Sequence, residues 1–495
     1  MPAATRNLLV CGLVIAGCGA DRSSSGALDR IVARGELTWG ADEQGGEPYV
    51  FEDASRGGAL AGFEVDLAET LARALGVRAR FVQNDWTTLI PSLERGTFDI
   101  ALNGIEVTPA LAARVAFSRP YYRFSERLVA RRGDTRVRDL ASIAKLRVGT
   151  LAGSLSWHLA REAGADAVPY EGVDEPFVDL AHERIDAVLL DDIIVARYAP
   201  RYPSLVVVAD VAEGSYAIAM RPQDEGLRQA IDRALDGQIA SGAWQRTLAR
   251  WQLDNPSQAA LAVAPAAVAV APAGAAPLSP RQLVLILQGA LVTLLISLAA
   301  MALAAPLGLA LALIRLQSPR LRPFAAAYVE IVRGTPVLLQ LYILYYGLAD
   351  VVALGPWSAA IIGLGLNYAA YEAEIYRGAI QVIPTAQWEA ALAIGMSRRA
   401  ALRHVVLPQA LRIAIPGVTN DFISLLKDSS LVSVLTVVEL TKRMTITAVD
   451  NRGWLVPGAL CAALYFLLGY PLARLARKLE RRRGTTLSAA VHTAT

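Results

Sequence analysis

The pattern of hydrophobic and polar positions changes about halfway along this chain. In residues 30–253, apolar residues recur at helical spacing or alternate as in strands, and acidic and basic residues interrupt them regularly. After Leu283, the apolar runs lengthen to about 20 residues or more, which is the length that a helix needs to cross a bilayer. The pattern predicts a soluble half followed by an all-α membrane half.

Strand and helix signals alternate in the first half. Residues 37–41 and 77–82 have strand patterns, and residues 64–75 between them have helical periodicity. A later strand-like segment, residues 185–190, is followed directly by Asp191. We therefore expect α/β sheets with helices on both faces, and a ligand site near Asp191, since ligands bind beyond the carboxyl ends of the strands in such sheets.

The second half contains apolar segments that predict about five transmembrane helices, at residues 284–314, 325–349, 357–377, 411–437 and 454–473. Arginine and lysine cluster at residues 315–322, 398–403 and 474–483, whereas the loop at 350–356 has none. The positive-inside rule then predicts that the first span begins outside and that the tail, 481–495, is cytoplasmic. Lys442 and Arg443 do not fit the positive-inside rule, because their loop would be external.

The N-terminus predicts export of the first half. Arg6 precedes a short apolar run at residues 8–16, as in a secretory signal, and residues 15–18 resemble a bacterial lipoprotein cleavage box. Lipid attachment at Cys18 is the favoured interpretation, with cleavage without a lipid or a retained anchor as alternatives. Residues 256–281 are rich in Pro and Ala and predict a linker, or alternatively a weakly ordered surface segment.

Composition narrows the classes of function. Lys and Arg number 48 against 45 Asp and Glu, so the net charge of +3 does not indicate a nucleic-acid partner. The four histidines have no metal-ligand spacing, and no nucleophile and base pattern is present, so we predict neither a metal site nor an enzyme. Since the sequence contains no G-x-x-x-x-G-K-[ST] motif, we expect no cofactor in this chain; a partner protein would bind ATP and Mg²⁺.

Four blocks in the first half resemble the periplasmic substrate-binding proteins of polar amino-acid importers. They are Gly62-Phe-Glu-Val-Asp-Leu-Ala, Ile90-Pro-Ser-Leu-Glu-Arg-Gly-Thr-Phe-Asp-Ile, Gly104-Ile-Glu-Val-Thr-Pro and Phe117-Ser-Arg-Pro-Tyr-Tyr. The resemblance implies an α/β two-lobe periplasmic-binding-protein fold of type II in residues 27–255, with lobes that close over a ligand. Lobe 1 would comprise about 30–128 and 216–253, and lobe 2 about 132–212.

The resemblance also implies a ligand site, from which this sequence departs at two positions. Where the family holds the α-carboxylate of its ligand with an arginine and a hydroxyl, this chain has Leu111 and Glu106. Arg114 either replaces the missing guanidinium or is a solvated arginine. The remaining site residues keep the pattern: Gly104, Ser154 at the carboxylate, Asp191 at the ammonium, and Trp86 as a wall.

Two of these assignments have plainer alternatives, since Trp86 could be ordinary core and Asp191 only a helix cap. With Glu106 and Asp191 both negative, the site favours a cationic or amide ligand over glutamate or aspartate, unless Glu106 is protonated or Arg114 enters the site.

A motif in the second half resembles the EAA loop of ABC importer permeases. It runs from Glu389-Ala-Ala to Gly395 and is followed by Val405-Val-Leu-Pro408. The resemblance implies a permease domain at residues 282–480 that forms a homodimer and binds a cytoplasmic dimer of ABC ATPases. The docking residues would be Glu389, Ala390, Ala391 and Gly395.

Together these observations predict a subunit of an ABC importer in the bacterial inner membrane. It would capture a polar or cationic amino acid outside and conduct it inward, powered by a separate ATPase. The alternative is a ligand-gated channel of the prokaryotic glutamate-receptor type. In such channels the spans interrupt the binding domain and carry a filter such as T-V-G-Y-G, whereas here the binding domain ends before Leu283 and that filter is absent.

Overall fold

The structure is a computed structural model and describes residues 26–263, 277–352, 354–451 and 453–492. The predicted signal segment with Cys18 lies outside the described residues, as do residues 264–276 of the predicted linker and the last three residues of the tail.

Two five-stranded sheets with helices on both faces, together with a small two-stranded sheet of the second and third strands, form the first half. The strands are β1 Glu36–Ala41, β2 Phe51–Asp53, β3 Ala59–Ala61, β4 Arg78–Gln83, β5 Ile100–Ala101, β6 Ala116–Phe117, β7 Tyr122–Arg131, β8 Arg147–Leu151, β9 Asp166–Tyr170, β10 Ala187–Asp191, β11 Leu205–Tyr216 and β12 Ala219–Met220. The helices are α1 Ala27–Arg34, α2 Phe63–Ala74, α3 Trp86–Glu94, α4 Pro109–Ala112, α5 Leu155–Glu162, α6 Glu175–Ala181, α7 Asp192–Tyr198, α8 Glu225–Ala240 and α9 Ala243–Arg250.

The strand order defines two lobes joined by a ribbon. Lobe 1 has the order β4-β1-β5-β12-β6 and lobe 2 the order β11-β7-β10-β8-β9. The long strands β7 and β11 are antiparallel, pair from Leu205 with Arg131 to Tyr216 with Tyr122, and connect the lobes. Tyr216 stacks on Phe124 at a centroid distance of 4.5 Å, so the lobe 1 end of the ribbon is rigidly packed.

The predicted α/β fold is confirmed, and the predicted strands and helix of the first unit differ from β1, α2 and β4 by one residue. The predicted linker begins too early, however. Residues Pro256–Val263 form a 3-10 helix in which Leu261 is fully buried, and Gln258 donates its side-chain amide to the carbonyl of Arg123 at 2.6 Å. Proline suits the start of such a turn, and Leu261 adds an apolar contact that periodicity alone did not indicate.

The membrane half is entirely helical in its described residues. Its helices are α10 Pro280–Gln317, α11 Arg322–Arg333, α12 Val337–Tyr342, α13 Pro356–Gln381, α14 Thr385–Ala393, α15 Arg398–Ala401, α16 Leu407–Asp428, α17 Leu440–Asp450 and α18 Leu455–His492. Two π-helical turns, Ile343–Gly347 and Leu402–Val406, and a 3-10 turn, Ser429–Leu435, complete it. The helix α10 begins at a capping box, in which Ser279 accepts from the backbone of Gln282 at 3.3 Å.

Fewer helices than the predicted five meet a strict length and hydropathy measure for spanning a membrane. Within the described residues, Pro280–Gln317 and Leu455–Arg474 meet it, and the pair Arg322–Arg333 and Val337–Gly347, bent by 107°, could form a third. The predicted span at 357–377 coincides with α13, the central helix, whose Asn367 and Glu372 are buried against protein. Polar residues facing neighbouring helices lower the hydropathy of α13, and five spans remain a prediction.

Lobe 2 packs against the membrane half through a buried ion pair. Arg184 pairs with Asp179 at 3.0 Å, and their side chains are 4% and 0% exposed. The same guanidinium donates to the carbonyl of Tyr345 at 3.1 Å and lies 4.0 Å from the centroid of its ring, while the Tyr345 hydroxyl donates to Asp179 at 2.8 Å. The two halves therefore share one polar network.

We expect Arg184→Met to destabilise the chain by about 3–5 kcal/mol, because it leaves the buried Asp179 carboxylate without its cation. Chemical unfolding of the purified full chain, followed by tryptophan fluorescence, measures the effect. The matched control is Arg161→Met, which removes an interface pair with Asp450 whose arginine side chain is 44% exposed and should cost about 0–1 kcal/mol. Equal losses in both variants would contradict the assigned role of the Arg184 network.

Candidate ligand site between the lobes

A small cavity of about 40 Å³ lies between the closed lobes. Several of its residues stand at the carboxyl ends of parallel strands, where ligands bind in open α/β sheets: Asp42 follows β1, Glu171 follows β9 and Asp191 ends β10. The cavity is lined by Asp42, Gly45, Tyr49, Trp86, Asn103, Gly104, Glu106, Leu151, Ser154, Glu171, Val173, Leu190, Asp191 and Ile194. None of these lining residues carries a positive charge.

Five of the seven predicted ligand residues line this cavity, namely Trp86, Gly104, Glu106, Ser154 and Asp191. The structure places Leu111 and Arg114 outside it. The helix α4 ends at Ala112, but Arg114 still donates its N–H to the carbonyl of Leu111 at 2.8 Å, and both residues line a neighbouring cavity that also borders Trp86. The side chain of Arg114 forms two hydrogen bonds of 2.8 Å with the carboxylate of Glu94. Its guanidinium is thus held in lobe 1, away from the cavity.

Trp86 bridges the two lobes. As the first residue of α3, it donates its backbone N–H to Asp42 at 2.8 Å in lobe 1. Its indole Nε1 donates to the carbonyl of Ala152 in lobe 2 at 3.3 Å. The half-buried ring therefore contacts both lobes and lines the cavity, and it also packs against the hydrophobic core of lobe 1.

Gly104 occupies a position that excludes a side chain. Its φ is +61°, and a Cβ there would lie 2.8 Å from the ring of Tyr49. Its N–H donates at 2.7 Å to Glu64, which also accepts from the hydroxyl of Tyr121. Burial raises the pKa of Glu64 to about 7, although both hydrogen bonds oppose this shift. This network fixes the loop that carries Glu106 into the cleft.

Glu106 crosses from lobe 1 to lobe 2. Its carboxylate accepts the backbone N–H of Leu155, the first residue of α5. Ser154 is the N-cap of that helix: its hydroxyl accepts from Trp157 at 3.1 Å and donates to the carbonyl of Leu151 at 2.8 Å. The start of α5 thus already holds a carboxylate, and the hydroxyl of Ser154 serves as a helix cap.

Three carboxylates meet where lobe 1, the ribbon and lobe 2 come together. Glu106, Glu126 of β7 and Asp191 of β10 are buried, and each offers an oxygen within 4.8 Å of the other two. We call this set the carboxylate cluster. Asp191 accepts from the hydroxyl of Tyr216 and makes no side-chain cap bond to α7, so it is not merely a helix cap.

The carboxylate cluster contains more negative charge than its surroundings balance. Burial raises the pKa of Asp191 to about 7, and burial followed by the charge of Asp191 raises the pKa of Glu106 and Glu126 well above the usual carboxyl range. Among the described residues, Oε1 of Glu126 has no hydrogen-bond partner. The cluster can accommodate a small organic cation or a metal ion.

The sequence analysis missed several cavity residues. Asp42 and Glu171 each follow a strand, which is the signal that identified Asp191. The sequence analysis also missed Glu126, which belongs to the carboxylate cluster but not to the cavity lining; it lies within β7 and carried no such signal. Glu171 is also contacted by the membrane half, because Nζ of Lys442 lies 2.9 Å from its carboxylate. The Lys442 side chain is only 3% exposed, so the permease-side cation reaches the wall of the cavity.

The predicted docking motif forms a short surface helix in the membrane half. Glu389 and Ala390 of α14 are exposed, Ala391 is buried, and Gly395 follows the helix with a φ of +87°. Next to Gly395, Ile394 is 77% exposed. An open cavity of about 680 Å³ adjoins α14 and is lined by Leu316, Gln317, Ile380, Gln381, Ile383, Thr385, Trp388, Leu392, Arg398, Arg399 and Leu402.

A further polar cavity of about 490 Å³ lies among the membrane helices. Its wall carries both signs of charge, with Arg333 on one side and Asp421 and Asp428 on the other. The guanidinium of Arg333 lies 5.4 Å from the ring centroid of Tyr371, and Asp428 accepts from Tyr368 at 2.7 Å.

Comparisons with known proteins identify a family for each half of the chain. Residues 37–254 match the family described as bacterial extracellular solute-binding proteins, family 3. Residues 304–485 match the binding-protein-dependent transport system inner membrane component. The chain is 40% identical over 179 residues to the L-cystine transport system permease protein TcyB of Bacillus subtilis, covering 36% of this chain and 76% of that protein.

Two other relatives cover different halves. The putative glutamine transport system permease protein GlnP of Rickettsia typhi is 31% identical over 204 residues, covering 41% of this chain and 94% of that protein. A crystal structure of the P235GK mutant of ArgBP from T. maritima is 29% identical and covers 46% of this chain and 99% of that chain, with a TM-score of 0.43.

The carboxylate cluster predicts how pH affects the ligand-free protein. Between the ordinary carboxyl pKa of about 4 and the raised pKa of about 7 at Asp191, the folded state binds more protons than the unfolded state. Stability should therefore fall as pH rises through this window. Thermal unfolding of the full chain at pH 5, 6 and 7.5 tests this, and Glu126→Gln should flatten the dependence. A melting temperature that rises with pH equally in both proteins would refute the prediction.

Proposed function

Because this chain belongs to the amino-acid ABC transporter family, with solute-binding protein and permease joined in one polypeptide, we propose that it captures a cationic ligand outside the cytoplasmic membrane and conducts it inward. The buried carboxylate cluster, which joins lobe 1, the ribbon and lobe 2, is the observation that supports a positively charged ligand. A cation between these groups relieves their repulsion and draws the lobes together.

A channel function has no support from the comparisons. Both matched families are transporter components, and the residues that match the binding protein, 37–254, end before those that match the permease, 304–485, begin. This order differs from that of a receptor channel, in which the spans interrupt the binding domain. We therefore retain transport as the function.

The contacts of the membrane half support an external binding domain. Lys442 and Arg443 seemed to contradict the positive-inside rule, but Lys442 pairs with Glu171 of lobe 2. Their loop then faces the binding domain, where Lys442 has a structural partner. Its charge is therefore weak evidence about the side of the membrane on which the loop lies. We propose that this face is periplasmic and that the exported half is anchored at Cys18, with the permease in the inner membrane.

We further propose that a separate ATPase docks on α14. The exposed Glu389 and Ala390, the exposed Ile394 and the adjoining cavity form a surface that an ATPase subunit can cover. Since the chain has no phosphate-binding loop, ATP and Mg²⁺ would be held by that partner. Two permease copies would bind an ATPase dimer, as the family resemblance implies.

Gly395→Val should abolish ligand-stimulated ATPase activity in the complex reconstituted with the ATPase, and leave ligand affinity unchanged. A β-branched residue is strained at the φ of +87°, so the end of the docking helix must shift. The matched control is Gly378→Ala, since Gly378 is helical and its added Cβ meets nothing within 4 Å. Normal ATPase stimulation in the Gly395 variant contradicts the proposed docking surface.

Asp191→Asn should weaken binding of a cationic ligand by roughly a few hundredfold, because the cation loses a buried charged partner. Calorimetry of the purified full chain with agmatine and with arginine as probes measures this effect. Asp210→Asn is the control, as that carboxylate is 56% exposed and pairs with Arg127 away from the cavity. Unchanged affinity in the Asp191 variant contradicts the proposed role of Asp191.

A further inference from the structure

The chain itself fills the position that a ligand carboxylate would take. In the family that the first half resembles, the turn before α5 meets the carboxylate of the ligand. Here the carboxylate of Glu106 accepts the N–H of Leu155 at that helix start, and the Ser154 hydroxyl is engaged in capping. A second carboxylate would have to displace Glu106 from the backbone N–H group that neutralises it best.

No cation is available for a ligand carboxylate elsewhere in the cavity. Leu111 stands where the family has its arginine, and Arg114 is held by both oxygens of Glu94. Lys442 of the membrane half reaches the wall at Glu171, and it is paired with that carboxylate. An incoming carboxylate would therefore meet two acidic groups, Glu106 and Asp191, and no positive charge among the residues that line the cavity.

We propose that the ligand is an organic amine or guanidine without a carboxylate. The carboxylate of Glu106 would take the place at the start of α5 that the carboxylate of an amino-acid ligand would otherwise occupy. The inference rests on the proposed function and narrows the substrate class of the same site. The positive group would lie between Glu106, Glu126 and Asp191, where the buried oxygen of Glu126 lacks a partner. A protonated amine can donate up to three hydrogen bonds to such a cluster.

The cavity wall favours an organic cation over a metal ion. Trp86 and Tyr49 line the cavity beside the carboxylates and present aromatic surface to an alkyl chain or a cationic head group. A divalent ion such as Ca²⁺ would need six to eight oxygen ligands, and aromatic carbon atoms supply none. One oxygen of each carboxylate already accepts a hydrogen bond, from Leu155, Ser156 or Tyr216, so the three groups provide fewer free oxygens than such an ion needs.

Matched pairs of probes that differ only by a carboxylate test the proposal. The pairs are agmatine with arginine, cadaverine with lysine and putrescine with ornithine. Calorimetry of the full chain at pH 7.5 should show each amine binding about tenfold or more tightly than its amino acid, because like charges face each other in the amino-acid complex. Tighter binding of the amino acids overturns the inference but leaves the proposed function standing.

Two other results of these titrations would each contradict the proposal in a different way. Binding of calcium chloride alone, with no heat from any amine, would overturn the inference in favour of a metal site. No binding of any of these cations would overturn both the inference and the cationic ligand of the proposed function. Thermal unfolding of each protein sample confirms that the chain is folded in every titration.

Variants that restore the family pattern provide the converse test. Glu106→Thr combined with Leu111→Arg removes the internal carboxylate and adds a guanidinium, so the preference should shift from agmatine toward arginine by about tenfold or more. Asp210→Asn is the matched control, because its carboxylate is 56% exposed and does not line the cavity, so the preference for agmatine should persist. An unchanged preference in a folded double variant overturns the role given to Glu106.

Discussion

The repulsion among Glu106, Glu126 and Asp191 is the constraint on which the rest of the binding half depends. The three groups belong to lobe 1, the ribbon and lobe 2, so closing the cleft brings like charges together in a buried place. The protein can tolerate this only by binding protons or by binding a cation. Closing the lobes therefore favours the binding of a cation or a proton at the site.

The surroundings of the cluster hold these charges in place rather than neutralise them. The hydroxyl of Tyr216 donates to Asp191, and Ser156 donates to Glu126. Hydrogen bonds from neutral donors stabilise the charged form less than an arginine would. Tyr216, the last residue of β11, also stacks on Phe124 of β7. The same side chain therefore contacts the ligand site and packs within the ribbon.

The sequence predicted much of the architecture, for reasons that individual elements make clear. Strand and helix periodicity located β1, α2 and β4, and the strand-end rule located Asp191. The same rule applied to Asp42 and Glu171 would have found them, but an acid after a strand is too common to stand out. Glu126 could not be predicted, because only the pairing of β7 with β10 decides which residue of β7 lies opposite Asp191.

Other errors came from arguments about local geometry. The placement of Arg114 assumed a helix that continues past Leu111, but α4 ends after one turn and the arginine then turns to Glu94. The linker prediction relied on proline content, yet Leu261 docks into the core and orders the segment around it. In both cases a tertiary contact overrode a pattern that was valid over a few residues.

The covalent connection between the halves has a consequence for how strongly they must attract each other. Thirteen residues, 264–276, separate the segment packed on the ribbon from the start of the membrane half. Because both halves belong to one chain, the binding domain stays near its permease at an effective concentration far above that of a freely diffusing receptor. Docking can therefore be intrinsically weak and rapidly reversible. The interface combines partly exposed pairs at Arg161 and Glu171 with the buried network of Arg184 and Tyr345.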